Sequence, residues 1–317
     1  MTEQTLAVGR KPRRHFLLPY ALLVLCMFFC ASNWIVGRAL HQTTTPAALN
    51  FWRWGIAALL LLPFSWGQVR QSWPVIRRHW LLMLVFGITG ASAFHALIYT
   101  GLRHTEAINA LLLNSAIPVA IILMSWLWHG ETISRRQLAG IVISFLGVFT
   151  IIGRGDPATL LHLHINDGDL LILLALPIWS FYCVLLRRRP PGIGDLAFLQ
   201  VVSTISVLSV APFYLWDVAH GESLDFDAVT LSCFVYIAVF ASLVGYIFWN
   251  WAVAEVGANT AGFTSHLMPA FGAALAILVL HEQAYPYHAV GIALILAGVF
   301  LSTVRRAPAR SRRTLGP

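Results

Sequence analysis

The chain has 317 residues, 58% of them hydrophobic and 11% charged, with a mean hydropathy of +0.73. Those values exclude an ordinary soluble domain and point to an integral membrane protein. The net charge of +8, carried by 20 Arg and a single Lys, lies mostly in short loops and at the two ends, where membrane topology and anionic head groups account for it without nucleic acid.

In chain order, residues 1–16 read as a basic tail. The apolar run from Leu17 to Leu40 follows basic residues, as in a signal peptide, but it is too long and no clean cleavage site follows, so it reads as a retained span. Runs long enough to cross a hydrocarbon core of ~30 Å fall at 17–39, 46–65, 80–102, 107–128 and 135–152. A linker at 155–168 precedes five more, at 169–187, 195–215, 230–252, 259–280 and 287–304, and a basic tail at 306–317 closes the chain. Helix-ending or interfacial residues mark the breaks: Pro46, Gly67, Pro74, Gly130, Pro157, Pro190, Pro191, Gly221, Gly257 and Pro286.

Residues 17–154 and 169–305 repeat each other. Pro118 pairs with Pro269, Glu131 with Glu282, Gly140 with Gly291 and Gly147 with Gly298, all at one offset of 151 residues. A unit of five spans crosses the bilayer an odd number of times, so the second copy is inverted relative to the first. The predicted fold is therefore an all-α membrane protein of ten transmembrane helices in two inverted five-helix repeats. Seventeen of the 21 basic residues fall in the two tails and in alternate loops, against Arg38, Arg103 and Arg154 on the other side. The positive-inside rule then predicts cytoplasmic termini and an external loop from Trp216 to Val229.

The pattern Ala107, Ala110, Pro118, Glu131, Gln137, Gly140, Gly147, with its second copy Ala258, Ala261, Pro269, Glu282, Gly291, Gly298, resembles the EamA-type repeat of the drug/metabolite transporter superfamily over nearly the whole chain. The resemblance implies a ten-helix exporter of a bacterial inner membrane with a central substrate cavity between its halves. The Trp-rich and Tyr-rich spans resemble the bacterial aromatic amino-acid exporter branch.

Polar side chains inside hydrocarbon are costly and face a cavity or a partner helix. Ser92, His95 and Tyr99 share one face of the third span; Ser242, Tyr246, Trp249 and Asn250 share one face of the eighth. At the 151 offset His95 corresponds to Tyr246 and Tyr99 to Asn250. Asn114 and Ser115 precede Pro118, and Ser265 and His266 precede Pro269, where each proline removes a backbone donor and offers a helix break or hinge. The first span adds Cys26, Cys30, Asn33, Trp34 and Gly37, and the sixth adds Trp179 and Tyr182 after Pro177. Spans one, three, four, six, eight and nine are expected to line one cavity.

Other residues read as structural. Trp66, Trp73, Trp80, Trp126, Trp128 and Trp216 lie near span ends as interface anchors. Arg53 lies close enough to a span end to snorkel, and Glu131 and Glu282 sit where they cap the following helix. Gly140 with Gly147, and Gly291 with Gly298, allow close helix approach, either within the chain or to a second protomer. Cys26, Cys30, Cys183 and Cys233 read as buried free thiols, without metal-ligand spacing.

No phosphate-binding loop is present, and all 13 carboxylates lie in tails, loops or span ends. Primary pumping is thereby disfavoured, and proton coupling falls to His95 or His266; otherwise transport runs by facilitated diffusion or exchange. Clustered acids or an activated nucleophile, which a membrane-embedded enzyme needs, are missing. The expected activity is alternating-access transport, with no cofactor and no metal. The partners are the lipid bilayer and a neutral or zwitterionic small molecule, an aromatic or other large neutral amino acid, with drugs or other metabolites as the alternative. Monomer and homodimer both stay open.

Overall fold

In this computed structural model the described residues are 17–40, 43–105, 110, 113–114, 116–130, 133–153, 155–156, 158–159, 166–222, 227–279 and 285–303. Among them every regular element is helical. The spans are α1 (Leu18–Ala39), α2 (Pro46–Arg78), α3 (Trp80–His104), α4 (Ile117–His129), α5 (Arg135–Ile152), α6 (Asp167–Arg188), α7 (Asp195–Ala219) and α8 (Ala228–Val256). The ninth, α9, is a succession of short helix Ala258–Gly262, 3-10 turn Phe263–His266 and helix Leu267–Val279; α10 is Pro286–Thr303. Six of these, α1, α2, α3, α6, α7 and α8, are individually long and apolar enough to cross a membrane.

Local chemistry sets the helix starts. Thr45 accepts the Ala48 N–H at 3.1 Å, with Pro46 in the first turn of α2. Asn166 and Asp169 form a reciprocal capping box on α6, and Asp227 accepts the Thr230 N–H at 2.7 Å on α8. At α5 the cap is Ser134, which accepts the Gln137 N–H at 3.2 Å. Glu131 and Glu282, expected in that role, lie outside the described residues.

The break expected at Gly67 and Pro74 does not occur: α2 runs 33 residues through Pro63, Gly67 and Pro74 to Arg78. Inside a membrane bundle the single carbonyl freed by each proline is accommodated by neighbouring groups, so helix-breaking residues are tolerated.

Two helix pairs establish the inversion. A Cβ on Gly140 would stand 2.6 Å from the Gly298 carbonyl oxygen, and one on Gly147 would stand 2.6 Å from that of Gly291. As α5 ascends, its partner descends, so the last helices of the two copies are antiparallel. Because Gly140 corresponds to Gly291 and Gly147 to Gly298, each contact maps onto the other under a two-fold rotation. The small-residue face is therefore an internal seam of one chain. The second helices behave alike: Trp52 Nε1 donates to the Tyr214 hydroxyl at 3.2 Å while Ser65 Oγ donates to Gln200 Oε1 at 3.0 Å, which makes α2 and α7 antiparallel. The pairs α1 with α8 and α3 with α6 exchange under the same two-fold.

Outward surfaces are apolar. Trp66, Trp73, Trp80, Trp126, Trp128 and Trp216 are all exposed, together with Leu59, Phe64 and Leu127, as suits a bundle whose solvent is lipid.

Candidate functional site

A cavity of about 50 Å³ lies where α1, α2, α3, α6, α8 and α9 meet, with Asn114 and Ile117 closing it at the entry to α4. Both repeats supply its walls. From the first come Cys26, Cys30, Asn33, Trp34, His95 and Asn114; from the second come Trp179, Tyr246, Trp249, Ser265 and Met268.

One wall is a continuous aromatic surface. Trp179 stacks on Phe94 at 4.9 Å and on Tyr182 at 5.2 Å, and tilts against Trp249 at 5.6 Å. Tyr246 meets Trp179 edge to face at 5.8 Å and Trp54 at 5.0 Å. Offset and edge-on geometries are the favoured ones for aromatic pairs, so the wall is held by its own contacts.

Polar atoms face this surface sparsely. His95 Nδ1 pairs with the Ala91 carbonyl at 2.9 Å, while Nε2 has no hydrogen-bond partner among the described residues. Asn114 Nδ2 donates to Met268 Sδ at 3.3 Å, and the Tyr246 hydroxyl donates to the Gly90 carbonyl of α3, tying the two repeats together.

Arg53 was expected to snorkel; instead it is 1% exposed and lines the cavity. Its Nε donates to Ser242 Oγ at 2.5 Å and its Nη1 to the Tyr99 hydroxyl at 2.8 Å, and its guanidinium lies 5.2 Å from the Trp54 ring. The reason is that α2 packs its early turns against α3 and α8, whose hydroxyls receive the guanidinium before it can reach a span end. Adding Arg53 brings α2 into the cavity wall and gives that wall a fixed charge.

The remaining sequence-predicted residues sit around the cavity rather than on its surface. Tyr99 lies behind Arg53 and donates to Asn33 Oδ1 at 2.9 Å. Tyr182 backs Trp179 and donates to Asn250 Oδ1 at 2.7 Å. Ser242 is the support of Arg53 just described. Ser92 points toward α7, where its Oγ meets Ser209 Oγ at 2.6 Å. His266 packs against Phe145 at 5.0 Å, with neither ring nitrogen hydrogen-bonded among the described residues. Ser115 lies outside the described residues.

Ile88–Ser92 in α3 and Ile237–Val244 in α8 are π-helical, so a 3.6-residue period does not carry through the whole of either helix. Ser92 and Ser242 each donate to the carbonyl five residues back, Gly87 and Ile237, both at 3.2 Å. That correspondence is an offset of 150, one less than for His95 and Tyr246, so one residue is absorbed within the π turns.

Pro118 lies in the first turn of α4, after Ala116, and Pro269 follows the 3-10 turn Phe263–His266 at the start of the long part of α9. Pro118 thus stands at a helix start, where the missing N–H leaves no intrahelical bond unmade, whereas Pro269 follows directly on helical residues and removes a backbone donor there. No group of three or more metal-ligating side chains occurs among the described residues.

Comparison with known proteins places this architecture. The chain is 24% identical over 290 residues to the uncharacterized transporter YyaM of Bacillus subtilis, covering 90% of this chain and 93% of that one. It is 25% identical over 287 residues to an uncharacterized transporter of Archaeoglobus fulgidus, covering 90% and 98%. A probable terminal-alkyne amino-acid exporter of Streptantibioticus cattleyicolor is 27% identical over 238 residues, 74% of each chain. One solved crystal structure superposes with a TM-score of 0.70 at 19% identity, covering 89% of this chain and 96% of the other, a likeness of fold. The sequence profile of the EamA-like transporter family matches residues 17–153 and again 166–304, once for each inverted copy, and the chain is a multi-pass membrane protein that belongs to that family.

Proposed function

We propose that the protein is a secondary transporter that exports large neutral amino acids, aromatic ones foremost, by alternating access through the central cavity. The reading rests on one observation: His95 and Tyr246, equivalent positions of the two inverted repeats, both line a single aromatic cavity. A site shared by inverted halves can open to one side and then the other as the halves rock. The aromatic wall suits an apolar side chain, and the few polar atoms suit a polar head group. The amino-acid exporter among the relatives supports the substrate class, and the resemblance supports the outward direction.

In this reading residues 17–154 and 169–305 are the two five-helix units, 155–168 is an external linker, and 1–16 and 306–317 are tails on the cytoplasmic side of a bacterial inner membrane. Pro118 and Pro269 mark the joints at which α4 and α9 bend, and His95 carries any proton coupling, since His266 is turned away toward α5.

The test is flux into vesicles containing the purified protein, using labelled amino acids and hydrophobic drugs with and without a pH gradient. Saturable movement of phenylalanine, tryptophan or leucine above protein-free vesicles is expected. Flux equal to empty vesicles for every solute contradicts the proposal, and chemical conversion without vectorial movement would assign the cavity to an enzyme.

A further inference from the structure

We propose that Arg53 binds the carboxylate of the transported solute, which makes the substrate class monocarboxylates with an apolar body. This rests on the transport reading and names the group by which that cavity selects its cargo.

Arginine stays protonated wherever the protein is folded, and a buried charge needs a counter-charge or a full set of hydrogen bonds. Arg53 is buried and lines the cavity, yet its contacts are two hydroxyls and an indole face, with no carboxylate among them. Of the five N–H donors of a guanidinium, the bonds to Ser242 and Tyr99 use two. The other three, both hydrogens of Nη2 included, have no acceptor among the described residues.

The two bonds that are made fix the guanidinium plane. Ser242 holds Nε from α8, Tyr99 holds Nη1 from α3, and Asn33 braces Tyr99 from α1 at 2.9 Å. A fork held from three helices loses little freedom on binding, and its free N–H groups match the planar geometry of a carboxylate. No acidic side chain lines the cavity among the described residues, so Arg53 repels cations, and an amine or amide presenting only positive charge is rejected. Phe94, Trp179 and Trp249 line the same cavity and offer the apolar body contacts that an inorganic anion leaves unused.

The experiment titrates the purified full-length protein in detergent with L-phenylalanine, L-leucine, the primary amide of each, and inorganic phosphate, following tryptophan fluorescence. We expect each acid to bind at least about tenfold more tightly than its amide, since a site built to hydrogen-bond one group rejects the analogue lacking it, and phosphate to give no saturable response. Arg53→Gln abolishes the preference and Arg53→Lys restores part of it. Should neither variant fold, the acid-to-amide ratio of the unmodified protein decides. Equal affinities, phosphate binding as tight as the acids, or no saturable response to any carboxylate overturns the assignment. Flux separates the two proposals: vesicles that move the amide as fast as the acid overturn the role of Arg53 and leave transport standing. Selective acid binding with no flux does the reverse.

Discussion

The Tyr99 hydroxyl donates to Asn33 Oδ1 at 2.9 Å while accepting from Arg53 Nη1 at 2.8 Å, so one phenol joins α1, α2 and α3 at the cavity edge. Tyr99→Phe leaves a buried amide oxygen and a guanidinium N–H without their partner, a loss of about 1–3 kcal/mol. We expect a lower melting temperature in detergent and weaker binding of carboxylate solutes. Unchanged values for both would show that the hydroxyl carries no weight.

The seam between α5 and α10 leaves no room for a side chain. A Cβ on Gly298 would stand 2.5 Å from the Gly140 carbonyl oxygen, whereas one on Gly55 of α2 meets nothing within 4 Å. Gly140→Ala and Gly298→Ala should each destabilise by roughly 1–3 kcal/mol through overpacking. Gly55→Ala should be neutral or stabilising, by up to about 1 kcal/mol, from helix propensity. Thermal melts of the three variants check the contrast.

Trp179 is the hub of the aromatic wall, in contact with Phe94, Tyr182, Tyr246 and Trp249. Each aromatic contact is worth about 0.5–1.5 kcal/mol beyond area burial, or roughly a two- to tenfold change in affinity. Trp179→Ala should therefore weaken phenylalanine by at least that factor while changing alanine little. Competition binding with both amino acids measures the difference, and an equal loss for the two would place the wall outside the solute's reach.

The two histidines should part company. His266 has both ring nitrogens unpaired among the described residues and packs on Phe145, so His266→Phe exchanges an unsatisfied polar ring for an apolar one and should be neutral or stabilising. His95 lines the cavity, and His95→Gln should slow transport driven by a pH gradient. Gradient-driven transport that survives His95→Gln and disappears with His266→Phe would reverse the assignment.

At the start of α8 the Thr230 N–H and hydroxyl hold the Asp227 carboxyl below its ordinary pKa. A depressed folded value means that the cap stabilises fully above the unfolded value of about 3.9, and that this stabilisation is lost as pH falls through the folded value. Asp227→Asn should lower the melting temperature at neutral pH, and the gap to the unmodified protein should narrow in acid. A gap that widens below pH 4 would contradict the cap.

The repeat was legible because Gly140, Gly147, Gly291 and Gly298 are fixed by backbone contact, which tolerates no substitution in size and so leaves a sharp sequence signal. The cavity face was legible in α1, where Cys26, Cys30, Asn33 and Trp34 follow an unbroken helical period and all reach the same space. The π turns of α3 and α8 were not legible, because a 3.6-residue count does not register them. Arg53 was missed for a different reason. Its partners Tyr99 and Ser242 lie 46 and 189 residues away, and only the packing of α2 against α3 and α8 brings them together. The available hint was that both partners already belonged to the polar faces of the third and eighth spans.

Counterflow tests the central claim most directly. Vesicles loaded with unlabelled phenylalanine are diluted into a trace of labelled phenylalanine, and internal label is followed over time. A cavity that alternates between the two membrane faces gives a transient accumulation of label above equilibrium, reduced by Trp179→Ala and absent in protein-free vesicles. Label that rises only to equilibrium, at the same rate with and without protein, would contradict it.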